Sequence, residues 1–136
     1  NLIETTGTVA WELDLKTKKY TYIGNISEKL TGYKPNKWKT LNDWLRIIHT
    51  DQKESVLAGY NHFDFNTSNR IIEYRIIKAD NNVAWVRDVA TLVYENNNPV
   101  SLQGYFIDIT TEKEIAFVKE DFTQKLKEKD NKLKEI

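Results

Sequence analysis

Three consecutive stretches that read with a two-residue period, at 70–78, 83–95 and 100–109, constrain this 136-residue chain more than any other feature. Successive side chains of a strand point to opposite faces, so alternation sustained over such lengths selects strand over helix. The connections are Ala79-Asp-Asn-Asn82 and Asn96-Asn-Asn-Pro99. Asn tolerates positive φ and Pro99 has no N–H for a ladder, so both are turns and the three runs form an antiparallel meander.

The first half carries two shorter strands and then changes period. Val9, Trp11 and Leu13 alternate within 8–13, Tyr20 and Tyr22 alternate within 18–24, and a polar turn at 16–19 joins them. Asn25-Ile-Ser-Glu28 has the spacing of a capping box and opens a short helix over 26–30 that Gly32 stops. Leu41, Trp44, Leu45 and Ile48 fall at i, i+3, i+4 and i+7, one apolar stripe on a helix that Thr40 caps. A cap signature at 51–54 precedes a further helix carrying Val56, Leu57, Tyr60 and Phe63. The order β-β-α-α-α-β-β-β is an α+β fold, a five-stranded antiparallel sheet with its helices on one face.

The last stretch, 112–136, has seven Lys, seven acidic residues, no Gly and no Pro, the composition of a long solvated helix. Thr111-Glu-Lys-Glu114 is its expected capping box, and Asp121/Lys125, Glu128/Lys132 and Asp130/Lys134 are favourably oriented i, i+4 pairs. Its apolar residues Ile115, Val118, Phe122, Leu126, Leu133 and Ile136 make a seam with one four-residue stutter once Lys129 is included. That stripe is too narrow for a core, and a partner helix in a parallel homodimer accounts for it. The expected organisation is the end of a linker or helix at 1–7, a globular domain at 8–111 and the long helix at 112–136.

Composition closes off several classes of function. Charges balance at twenty basic against twenty acidic residues, so the chain offers no electrostatic footprint for nucleic acid or an anionic membrane. No apolar run approaches the length needed to span a bilayer, and no direct membrane contact is expected. The absence of Cys removes disulfides, thiolate zinc sites, cysteine nucleophiles and photochemical cysteine adducts. With no Met and a start at Asn1, the chain reads as a piece of a longer polypeptide.

The matching run Leu30-Thr-Gly-Tyr33, Trp44-Leu-Arg-Ile-Ile-His-Thr-Asp51, Glu73-Tyr-Arg75, Trp85-Val-Arg-Asp88, Gly104 and Asp108-Ile-Thr110 resembles the PAS sensory domains that carry a trailing C-terminal motif. The resemblance spans 8–113 in the family's order. Thr50, Gln52 and Asn81 depart from it, all in turns. It implies a non-enzymatic sensor or dimerisation module, most often placed before a histidine kinase of a two-component phosphorelay or a cyclic-dinucleotide cyclase. It also implies a cytoplasmic location, with any membrane anchor elsewhere in the longer protein. Asp108, Ile109 and Thr110 then hand the signal from the last strand to the C-terminal helix, and a linked output domain follows.

Alternation puts Ile72, Tyr74, Ile76, Val86, Asp88, Ala90, Leu92, Leu102 and Phe106 on one face, and the resemblance implies that the helices cover it. Asp88 is the anomaly, because a carboxylate aimed at an apolar interior must be hydrogen-bonded, hydrated or neutralised. It either holds Tyr74, a helix N-terminus or buried water, or anchors a ligand in a small cavity lined by Trp44, Ile48, Tyr60, Tyr74, Ile76, Asp88 and Phe106. The opposite face, with Ile71, Ile77, Trp85, Val89, Val93, Tyr105, Ile107 and Ile109, is too apolar for water, and an N-terminal helix or a second subunit is expected to cover it.

His49 beside Asp51 reads as a helix-entry cap, and two scattered His without Cys make no metal site. His62 is the one candidate haem ligand, set against Tyr60 and Phe63 on the apolar face of its helix. No glycine-rich phosphate cradle favours flavin. No catalytic residue, metal, haem or flavin is therefore expected, and any ligand is an unidentified small molecule. The alternatives are a ligand-free interaction module, the input of a cyclase and, remotely, a small isomerase or dehydratase.

Overall fold

The computed structural model describes residues 7–61 and 69–134. The two N-terminal strands are β1 (Val9–Asp14) and β2 (Tyr20–Ile23), followed by helices α1 (Ser27–Thr31), α2 (Leu41–Leu45) and α3 (Lys53–Asn61). The meander is β3 (Asn69–Ile77), β4 (Val83–Glu95) and β5 (Asn98–Asp108), and the chain continues into α4 (Thr110–Lys134). The sheet runs β2-β1-β5-β4-β3 with every neighbour antiparallel. The α+β architecture expected from the change of period is the one found.

Register explains the core. Ile72, Asp88, Phe106 and Val9 lie in one row across β3, β4, β5 and β1. The expected inner face is buried, with Tyr74, Ile76, Val86, Leu102 and Phe106 fully so, except that Ile72 is only partly covered. Gly104 pairs with Trp11 across β5 and β1. A Cβ on Gly104 would stand 2.6 Å from the Trp11 ring and collide with the Val89 carbonyl, so the indole needs glycine beneath it.

Asn does the work of glycine in the hairpins. Asn81 takes φ 70°, and Asn96 and Asn97 take φ 48° and 65°, the left-handed region that Asn enters at low cost. The second turn is therefore only two residues, shorter than the expected 96–99, because consecutive positive φ values reverse the chain at once. Asn98 and Pro99 join β5, and Pro99 lies beyond the stretch that β1 pairs, which ends at Asp14 opposite Ser101. At the first turn Lys18 has φ 58°, and the Asp14 carboxylate accepts the Thr17 N–H at 2.8 Å and hydroxyl at 2.7 Å.

The helices depart from expectation at their ends. The capping box of Asn25 and Glu28 does not form: Ile26 is the N-cap, already in helical geometry, and Ser27 N–H donates to the Gly24 carbonyl at 3.0 Å instead. For α2, the Asp43 carboxylate accepts the Thr40 N–H at 2.9 Å and its hydroxyl at 3.2 Å. α2 stops at Leu45, because Ile48 leaves the helix to bridge Ile76 at the β3 edge. His49 caps the following turn by accepting the Asp51 N–H at Nδ1, 3.3 Å away, as expected. In α3, Val56 and Tyr60 are buried while Leu57 is exposed, and Phe63 and His62 lie outside the described residues.

Candidate functional site: a buried carboxylate and a sheet-to-helix junction

Asp88 is fully buried at the centre of β4, and two elements, α3 and β3, supply three partners. Tyr60 of α3 donates its hydroxyl to Oδ2 at 2.6 Å, and Tyr74 of β3 donates to the same oxygen at 2.7 Å. The Arg70 guanidinium donates to Oδ1 at 3.3 Å and lies 4.6 Å from the centroid of the Tyr60 ring. Trp44 Nε1–H of α2 donates to the Tyr74 hydroxyl at 2.7 Å. A chain of hydrogen bonds thus runs from α2 through β3 to β4 and back to α3. Burial pushes the Asp88 carboxyl up, against the pull of Arg70 and the two hydroxyls. Burial first, and the charge of Asp88 second, hold both phenols well above their ordinary value.

All seven residues expected to line a cavity, Trp44, Ile48, Tyr60, Tyr74, Ile76, Asp88 and Phe106, come together in the core. They touch one another: Trp44 stacks on Phe106 at 4.0 Å with 5° between the planes, and Trp11 covers the ring at 5.2 Å. Two buried donors nearby, Trp11 Nε1 and the Tyr20 hydroxyl, make no hydrogen bond among the described residues. Their rings meet edge to face at 6.2 Å, and Trp11 also faces Tyr60 at 6.2 Å. They are the polar atoms that a small hydrogen-bond acceptor entering this core would find. Neither they nor Arg70 stood out in the sequence, yet Arg70 shares the parity of Ile72 and Tyr74, which was the available signal.

The second site is where the last strand becomes the long helix. Asp108 Oδ1 accepts the Thr110 N–H at 2.9 Å and its hydroxyl at 2.6 Å. The Asp108 carboxylate thus holds the first helical residue in place of the expected box at Thr111, because the helix starts at Thr110, two residues before the expected 112. Trp85 N–H donates to Thr110 Oγ1, and Ile109 N–H donates to the Trp85 carbonyl, both at 2.9 Å. Ile109 is buried. Beside it Arg87 of β4 contacts Glu73 of β3 at 2.9 Å and Glu112 of α4 at 2.7 Å, and Lys113 contacts Glu73 at 2.8 Å. The Lys113 bond first, with Arg87 alongside, holds the Glu73 carboxyl below its usual range.

Beyond this junction α4 buries nothing. Ile115, Val118, Phe122, Leu126 and Leu133 are 51–70% exposed, Phe117 equally so, and Ile136 lies outside the described residues. A cleft of about 600 Å³ between α4 and β4 is lined by Val83, Trp85, Lys113, Phe117 and Val118 among others. The ion pairs Asp121–Lys125 and Asp130–Lys134 both form at 3.2 Å. Among the described residues no helix is long and apolar enough to cross a membrane, and no group of three His, Asp or Glu is placed to hold a metal.

The sequence matches the family model described as PAS fold over residues 20–106. The chain belongs to the PAS family. Solved structures agree. The N-terminal domain of a diguanylate cyclase with a PAS/PAC sensor from Marinobacter aquaeolei is 26% identical, covering 78% of this chain and 98% of its own, with a TM-score of 0.67. A sensory box histidine kinase/response regulator from Burkholderia thailandensis is 18% identical over 93% of this chain and 95% of its own, with a TM-score of 0.75. The PAS domain of a Colwellia psychrerythraea protein is 19% identical over 80% and 92%, with a TM-score of 0.67. No curated protein matches the chain. Its fold is thus shared with PAS-bearing domains of a diguanylate cyclase and a sensory box histidine kinase.

Proposed function

We propose that this PAS domain is the cytoplasmic sensory input of a sensor histidine kinase, working as a parallel homodimer whose α4 helices pair and carry the signal to a linked output domain. The observation that carries the reading is the unbroken passage from β5 into α4 through Asp108, Ile109 and Thr110, followed by a helix that its own domain leaves unburied. An isolated helix of this length is only marginally stable in water, so intersubunit burial of its seam supplies the remainder. Sedimentation of the protein tests the pairing: a dimer is expected, and a monomer at high concentration overturns it. The domain itself does no chemistry in this scheme.

The input at the core takes one of two forms. Trp11 Nε1 and the Tyr20 hydroxyl favour a small acceptor-bearing molecule, since each buried donor without a partner forfeits its hydration. The stacked rings and the satisfied Asp88 favour a ligand-free interaction module. Native mass spectrometry separates the two by the presence or absence of bound small-molecule mass. The 26% identity to a cyclase input domain supports a cyclase as the alternative output.

A further inference from the structure

The β3–β4 pair carries polar chemistry on both of its faces, one residue apart. Glu73 and Arg87 are register partners on the outer face. Tyr74 and Asp88, each the next residue along its strand, point inward and share a hydrogen bond of 2.7 Å. The outer pair is extended by the first turn of α4. Arg87 binds Glu73 and Glu112, while Lys113 binds Glu73 and lies 4.9 Å from the centroid of the Trp85 ring. No side chain of α4 is buried, so these contacts and the bonds of Ile109 and Thr110 to Trp85 fix the direction in which the helix leaves the sheet.

We propose that Glu73, Arg87, Glu112 and Lys113 form an ionic latch that sets the direction of α4, and that the Asp88–Tyr74–Tyr60 hydrogen bonds load it from the other face of the same strands. The proposal rests on the reading of α4 as the output helix. A strand is stiff along its length, so a change of twist between β3 and β4 that separates Tyr74 from Asp88 also shifts Glu73 against Arg87. Charge-assisted bonds depend on close, aligned geometry, and the half-exposed side chains of this cluster are open to screening by salt. Such a cluster holds two helix directions close in energy, as a switching element requires. Arg87 is the positioning residue, because from β4 it binds both Glu73 of β3 and Glu112 of α4.

Hydrogen exchange at the amides of residues 113–118 in the whole chain tests the latch. Arg87→Gln is expected to speed exchange there about tenfold, and Glu112→Gln by less. About 1 M NaCl should move the unmodified protein toward the Arg87→Gln rates and leave that variant unmoved. Tyr60→Phe and Tyr74→Phe, neither of which touches α4, should speed the same amides while those of β1 keep their protection. Unchanged rates in Arg87→Gln overturn the latch. Unchanged rates in both tyrosine variants, with the sheet still protected, overturn its loading from the core. Sedimentation of the same samples keeps this separate from the pairing of α4: latch-dependent exchange in a monomer removes pairing alone, and latch-independent exchange in a dimer removes the latch alone.

Discussion

Trp44 and Phe106 lie face to face at 4.0 Å, within 5° of parallel, joining α2 to the centre of the sheet. Neither is exposed at all, and Trp11 also stacks on the phenyl ring, at 5.2 Å. The aromatic stack occupies the middle of the space between helices and sheet, and any input to this domain has to move it or bypass it.

Phe106→Ala removes the ring on which both Trp44 and Trp11 stack. A loss of about 3–5 kcal/mol is expected from urea unfolding, the range for a buried Phe truncated to Ala. A loss below about 1 kcal/mol would show that the core collapses freely around the site.

Tyr60→Phe leaves Asp88 with one donor fewer in a fully buried setting. A destabilisation of about 1.5–3 kcal/mol is expected, the range for a hydrogen bond to a charged group. Chemical unfolding of the variant at neutral pH reads it directly.

Asp88 also gives the stability a distinctive pH response. Its folded pKa lies above the ordinary aspartate value of 3.8, so between the two the folded state holds the proton more firmly than the unfolded chain. Its contribution is complete below 3.8 and is lost as pH rises through the folded pKa. Glu73, Asp43 and Asp14, all lowered, act in the opposite sense and lose their contribution on acidification. The stability difference between the unmodified protein and Asp88→Asn should therefore be larger at about pH 4 than at neutrality. The reverse order in urea midpoints would mean that Arg70 and the hydroxyls outweigh burial.

Replacing both Phe122 and Leu126 with Glu should abolish dimers in sedimentation while circular dichroism shows the sheet intact. Each apolar residue buried in a helix seam contributes about 1.5–3 kcal/mol before entropy is subtracted. Unchanged dimerisation would move the interface to the outer sheet face around Trp85 and Tyr105.

Gly104→Ala should cost at least about 1–3 kcal/mol, the range for overpacking, because the Trp11 ring and the Val89 carbonyl leave its Cβ no room. Thermal unfolding of the variant measures it, and a neutral result would mean that the indole is free to shift.

The strands were legible because alternation is a property of the chain alone, and it correctly sorted Tyr74 from Arg75 and Asp88 from Arg87. The seven core residues followed from that parity and from the apolar stripes of the two helices before the meander. What escaped was whatever depends on how elements meet in space. Asn25 has the right spacing for a cap, but the backbone enters α1 already coiled. Ile48 has helical spacing, but the unpaired edge of β3 draws it away. Arg70 had the right parity, but its meeting with Asp88 is diagonal across two strands and no one-dimensional pattern reports it. The grouping of Glu73, Arg87, Glu112 and Lys113 depends on the angle at which α4 departs.

Among the described residues α4 is anchored at one end only, which gives the molecule a mechanical advantage. At 1.5 Å per residue, Thr110–Lys134 extends roughly 36 Å from its base. A tilt of about 5° at Thr110 carries the far end sideways by about 3 Å, while atoms beside Trp85 move by only a few tenths of an ångström. Displacements that a close-packed aromatic core can tolerate without rupture thus reach the far end of the helix as movements large enough to shift how it packs against a neighbour.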